Sequence, residues 1–210
     1  MQNLPKQVRG RGFEADFAYG PPQAFYAAGE SPQVGRLYVD RFGREREDTF
    51  IVDGSERQLV SIDIWDVVAG KWTSLAPTEK KILLEYQLDP LRGRDDLNIR
   101  EPGIGASYSL PRHVLSKGKD VGTKQIEGLI CKGRVIEMAG AGARPALLVE
   151  CWHSEQIAYI VASQATWSLA DGKKVVVTFR LSKIEVRDPD PELFKIPADY
   201  KPVKLVPIKK

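Results

Sequence analysis

Cysteine, histidine and methionine are scarce in this chain: two of each in 210 residues. That scarcity confines disulfide, thiol and metal chemistry to a handful of positions. No apolar run approaches the roughly 18 residues that a membrane-crossing helix needs, so no membrane-spanning segment is expected. The opening residues, MQNLPKQVRGRG, have no apolar centre of the kind a signal peptide carries. Either the protein is cytosolic, or it is exported and its signal has been cut away. An excess of one charge is missing as well. Lys and Arg number 31 against 28 Asp and Glu, a net charge of +3, and the signs are interspersed. Nucleic-acid binders gather basic residues on one face. Here the basic cluster is the short, proline-broken tail KPVKLVPIKK, and no nucleic-acid partner is expected. The segment Gly103-Ile104-Gly105 lacks the Gly-Lys-Ser pattern of a phosphate loop. No long stretch carries a convincing 3.6-residue period, and there is no internal repeat.

What is present is a period of two. GFEADFAY sets Phe13, Ala15, Phe17 and Tyr19 on one face and Glu14 and Asp16 on the other. VGRLYVDR predicts a second strand and RFGREREDTFIV a third, joined by a tight turn near Phe42–Gly43. QLVSIDIW alternates Val60, Ile62 and Ile64 with Ser61 and Asp63, and WDVVAGKWTSL predicts a hairpin around Gly70. KKILLEYQL fits a strand or a helical turn, and the strand is preferred. Later come PALLVECWHS, IAYIVASQATWSL and KKVVVTFRLSKIEVRD, the last two joined by Asp171–Gly172, a strong hairpin signal. Short links between successive strands favour an antiparallel meander over parallel units. Residues 89–120 mix prolines, glycines and charges. They predict a long connection or lid, with a short helix near 111–117. Residues 188–210 predict an extended C-terminal tail along the sheet edge. The expected architecture is mainly β: a single domain over 1–210, built on one strongly curved antiparallel sheet with a long, partly helical loop insertion.

The stretch VGTKQIEGLICKGRVIE, from Val121 to Glu137, is strand-like and yet holds Gly122, Gly128 and Gly133. Two explanations are open. Glycine permits the bends and bulges that a wrapping sheet needs, or the stretch is two strands with a turn at Glu127–Gly128.

Cys131 and Cys151 sit mid-strand in neighbouring segments. Adjacent strands would bring them within disulfide range, or they are buried free thiols acting as small apolar residues. Cys151 and His153 share one side of their strand. With Cys131, and His113 from the long connection, they could sketch a zinc site, but the spacing fits no standard one. Side chains two apart on a strand stand nearly 7 Å from each other, too far for a nucleophile–base pair. No metal, cofactor or enzymatic activity is expected. In Arg44-Glu45-Arg46-Glu47-Asp48 the charge sign alternates by face. The default is a solvated strand with cross-strand pairs; a docking surface for a protein partner is the alternative.

The order of segments in both halves resembles the LolA-like superfamily, the outer-membrane lipoprotein carriers and their relatives. In the N-terminal half the resemblance lies in VGRLYVDRFGREREDT followed by QLVSIDIWDVVAGKWTSLAPTEKKILLEY. In the C-terminal half it lies in VGTKQIEGLICKGRVIE, VECWHS, the Asp171–Gly172 hairpin and DPDPELFKIPADYK, with Pro191, Leu193, Phe194, Pro197, Tyr200 and Lys201 in the tail. It spans roughly 12–203. The resemblance implies an incomplete barrel: a curved sheet closed by helices around an apolar hollow. Some members carry lipids or lipoprotein acyl chains across the periplasm, and others sense envelope stress. This chain departs from the carriers in lacking an amphipathic N-terminal helix, and 89–120 is its one candidate for a helical lid. On that basis the protein is expected to be periplasmic or secreted, its export signal removed. It is expected to hold a lipid or lipoprotein acyl chain in a hollow lined by Phe13, Phe17, Tyr38, Trp65, Trp72, Trp152, Tyr159 and Phe179. The alternative is an interaction or envelope-sensing module with a filled core and a protein partner.

Overall fold

The computed structural model describes residues 10–20, 33–66, 68–77, 82–87, 97–100, 107–110, 115–140, 145–169 and 171–202. Alternating apolar and polar residues produce strands β1 (Phe13–Gly20), β2 (Gln33–Val39), β3 (Arg44–Asp53), β4 (Glu56–Asp66), β5 (Lys71–Ala76) and β6 (Ile82–Gln87). They continue as β7 (Leu97–Arg100), β8 (Ser107–Leu110), β9 (Lys119–Ile126), β10 (Leu129–Met138), β11 (Ala146–Ser154), β12 (Tyr159–Ser168), β13 (Lys174–Glu185) and β14 (Lys201–Pro202). Twelve strands make one sheet in the order β14-β6-β5-β4-β3-β2-β1-β13-β12-β11-β10-β9, and β7 and β8 pair separately. The expected hairpins at Gly43, Gly70 and Gly172 form, each glycine with a positive φ. The two meander halves are joined where β1 pairs with β13. At the far edge the C-terminal β14 adds in parallel to β6.

The sheet curls strongly without closing. In a flat sheet β12 and β3, four strand spacings apart, would stand about 19 Å from each other. Yet the Tyr159 hydroxyl of β12 donates to Glu45 Oε1 of β3 at 3.0 Å. The β9–β10 turn also reaches back to β13, where the Lys183 amide donates to Glu127 Oε2 at 3.0 Å. The Tyr159–Glu45 contact requires the face carrying those two side chains to be concave.

Burial changes sides along the sheet. Over β1, β2 and β10–β13 the concave side chains form the main core, including Phe13, Phe17, Val39, Val149, Val161 and Leu181. Register carries that face onward: Val39 and Leu37 pair with Glu45 and Glu47, which pair with Trp65 and Asp63. Ile62 and Ile64 therefore point the other way. With Leu75, Leu83 and Phe194 they form a second core on the convex face.

The C-terminal segment covers this second core. A 3-10 turn, Pro191–Phe194, is capped by Asp190, whose side chain accepts from the Glu192 amide. Arg46 Nη1 donates to the Leu193 carbonyl at 2.7 Å, and the Arg44 guanidinium lies 4.7 Å from the centre of the Phe194 ring. Arg46 is in turn held by both carboxylate oxygens of Asp48, at 2.6 and 3.0 Å. Burial pushes the Asp48 carboxyl up, and Arg46 offsets only part of that. The arginine side of the alternating strand is thus a clamp for the chain's own tail rather than a solvated face, and its glutamate side lies in the concavity.

In the 89–120 connection, the described residues form the β7–β8 strand pair, the turn leading out of Leu115 and the start of β9; most of the expected short helix near 111–117 lies outside the described residues. The stretch from Val121 to Glu137 is a hairpin turning at Glu127–Gly128, with φ of 49° and 80°. The bend explanation holds in part too. Register slips between Lys132 and Arg134, opposite Gly122 at φ 95°, a bulge on the outermost strand.

Candidate functional site

The eight residues expected to line one hollow separate into four environments. Phe13, Phe17 and Phe179 are 0%, 3% and 8% exposed, and Tyr159 packs edge-on against Phe13 with ring centres 5.3 Å apart. These four pack into the main core on the concave face over β1, β12 and β13. Tyr38 lies on the opposite face from Leu37 and Val39. It packs on the second core, with the Arg36 and Arg46 guanidinium groups each 5.9 Å from its ring centre. Trp152 alternates with the buried Cys151 and turns away from the concavity. Its ring covers Gly133, where a Cβ would come within 2.7 Å of it. Lys124 Nζ sits 3.6 Å from the ring centre, and the indole N–H donates to Glu150 at 2.7 Å. The glycine makes room for the ring, which shields its bare backbone.

Trp65 and Trp72 remain on the concave face, partly buried. They are register partners on β4 and β5, stacked with ring centres 6.1 Å apart and 4° between planes. Tyr86, the next partner on β6, extends the stack at 4.4 Å and 21°. Sequence reasoning missed Tyr86. The signal was its place in KKILLEYQL, the segment that fitted strand or helix equally, and only a strand register aligns it with Trp72. Asp63 accepts from Trp72 Nε1 at 3.0 Å and fixes that ring. Glu45, the cross-strand partner of Trp65, accepts from Tyr159. Burial, then Glu45, raises the Tyr159 phenol well above its ordinary value, so it stays a proton donor. This bond marks the seam between the filled half of the concavity and the aromatic row. Tyr159→Phe keeps the ring and removes the donor. It is expected to cost about 1 kcal/mol, a drop of roughly 2–4 °C in the thermal midpoint.

Cys131 and Cys151 are both buried and free. The ladder pairs Cys151 with Arg134 and His153 with Lys132. Cys131 therefore sits about three residues along the strands from Cys151, close to 10 Å, beyond the roughly 7 Å Cα limit of a disulfide. Burial raises both thiols, Cys151 to about 11, which favours the protonated thiol near neutral pH. Among the described residues no group of three His, Cys, Asp or Glu side chains is placed to hold a metal ion; His113 lies outside them.

An ion network crosses the convex side of β2, β1 and β13. Arg36 reaches Glu14 at 3.2 Å and Asp16 at 3.0 Å, and Lys183 reaches Asp16 at 3.0 Å. Burial raises the Asp16 carboxyl, but the hydrogen bonds from Lys183 and Arg36 outweigh it, and the net direction is below 3.8. A folded pKa below the unfolded one stabilises the fold above the unfolded value, and that stability is lost as pH falls through the folded value. Asp16→Asn should therefore flatten the acid limb of a stability-against-pH curve below about pH 4.

No family model matches the sequence, and no curated protein matches it. Among solved structures the chain is similar to MucB in complex with MucA(peri), at TM-score 0.44 and 13% identity, over 94% of this chain and 57% of that one. It is also similar to LolA superfamily protein NE2245 from Nitrosomonas europaea, at TM-score 0.38 and 11% identity, over 90% of this chain and 92% of that one. The chain thus spans little more than half the length of the MucB chain. The open, strongly curved antiparallel sheet is the architecture that the sequence resemblance implied.

Proposed function

We propose that this protein is a non-enzymatic binding protein of the bacterial envelope. It holds a lipid or lipoprotein acyl chain against Trp65, Trp72 and Tyr86 on the concave face of its sheet. The observation that carries this reading is the contrast within one face: one half is packed with the buried Phe13, Phe17 and Phe179, and the other half keeps three stacked aromatic rings only partly buried. Three rings stacked across three strands make a fixed apolar strip. An acyl chain laid along it leaves water at roughly 25 cal/mol per Å². Asp63, bonded to the Trp72 indole, keeps the strip in one geometry and lowers the ordering cost of binding.

Titration with a dansyl-labelled fatty acid tests this directly, together with mass spectrometry of organic extracts of the purified protein. Saturable probe emission is expected, and Trp72→Ala should weaken it about tenfold or more. No probe response and no co-purified lipid would remove the reading. The filled half of the concavity favours a second one, an interaction module that recruits a protein partner. It would be preferred if the probe failed.

A further inference from the structure

Two hairpin tips stand side by side at one end of the sheet. Arg44 of β3 and Asp66 of β4 are register partners. Phe42 lies two residues before the first and Val68 two residues after the second, and each is 59% exposed. Neither is needed to make its turn. Asp40 Oδ1 accepts from the amides of Phe42 and Arg44, both at 2.9 Å. Asp66 Oδ1 accepts from those of Val68 and Ala69, at 3.0 and 2.8 Å. Turn chemistry of this kind leaves the tip positions free for polar residues, yet both carry apolar ones. Ile196, 39% exposed, follows two residues after Phe194, whose ring lies under Arg44. The aromatic row occupies the next rung inward, since Asp66 and Lys71 are partners and Trp65 and Trp72 adjoin them. The tips form one lip of that row.

We infer that this lip docks on a phospholipid bilayer, with Phe42, Val68 and Ile196 dipping into its interfacial layer. The inference rests on the hydrophobic-ligand reading above and supplies its source: an acyl chain would pass between bilayer and aromatic row without crossing open water. Area decides for a bilayer over a protein. Three partly exposed side chains on projecting turns fall far short of the roughly 800 Å² per partner that a stable protein interface buries. Shallow insertion by about 5–10 Å asks for no more than these. Charge decides the mode. Arg41 pairs with Asp188 at 3.3 Å, Lys71 with Glu85 at 3.5 Å and Lys195 with Glu192 at 2.5 Å, so the lip has little net charge to attract anionic lipid. The Arg41 guanidinium lies 5.2 Å from the centre of the Phe42 ring, an arrangement that buries the ring and keeps the cation among headgroups.

Flotation with vesicles of phosphatidylcholine, with and without phosphatidylglycerol, tests the inference. The protein should float with both, and about 0.5 M salt, which screens surface charge, should change little. The double variant Phe42→Ser/Val68→Ser should lower the bound fraction about tenfold, while its affinity for the soluble fatty-acid probe, measured without vesicles, stays unchanged and shows the fold intact. A wild-type protein that does not float, a double variant that floats as well as wild type, or binding that needs phosphatidylglycerol and vanishes in salt would each overturn it. Vesicle binding lost in the double variant, from a protein that takes up no probe, would leave the docking lip standing and remove the ligand reading instead.

Discussion

Phe13→Ala is expected to destabilise the protein by about 3–5 kcal/mol, lowering the thermal midpoint by roughly 6–20 °C. Phe13 is fully buried, stands opposite Val39 on β2 and meets Tyr159 edge-on. Removing its ring deletes apolar contacts on three sides of a curled sheet that cannot collapse into the space, because the strands are held in register on both sides. The same substitution separates two pictures of the concave face. If Phe13 lined an open pouch, truncation would cost under about 1 kcal/mol and enlarge the pouch, and uptake of a fatty-acid probe would rise. A small loss with improved uptake would refute the filled core.

Gly35→Ala is expected to be nearly as damaging, at about 3 kcal/mol and a midpoint lower by roughly 6–12 °C, although it adds one methyl group. Gly35 pairs with Phe17 on β1 and with Thr49 on β3. A Cβ there would overlap the Phe17 ring and the Asp48 carbonyl oxygen. The ring is pinned in the main core and the oxygen belongs to a neighbouring strand, so neither can yield without disturbing the sheet. Gly20→Ala is the control. Among the described residues its added Cβ would meet only Thr178 Oγ1, at the ordinary contact distance of 3.6 Å, and should change stability by less than about 0.5 kcal/mol. Equal midpoints for the two variants would show that the close approach at Gly35 is not real.

Much of the sheet was legible from local chemistry. Alternation located β1 to β5 and β11 to β13, and glycine-bearing turns at Gly43, Gly70 and Gly172 separated them, because a tight hairpin demands a backbone that few other residues adopt. The site was less legible. Of the residues expected to share one hollow, Trp65 and Trp72 alone carry the proposed strip, and Tyr86 joins them unforeseen. Apolar side chains stand on both faces of β4, with Ile62 and Ile64 against Trp65, and the sequence of that strand does not say which face is covered. The fate of Tyr38 shows the same ambiguity. It alternates with Leu37 and Val39 and carries a large apolar ring, yet it packs against a different core.

Local sequence alone determined that the chain would be mainly β, antiparallel and bent, because side-chain alternation and turn residues act over a few neighbouring positions. The tertiary structure decided which face each half of the sheet buries, since that depends on how far the sheet curls and on where the C-terminal segment docks. Contacts such as Tyr159 with Glu45, and Arg46 with the Leu193 carbonyl, join residues more than a hundred positions apart. No pattern within a single strand encodes them.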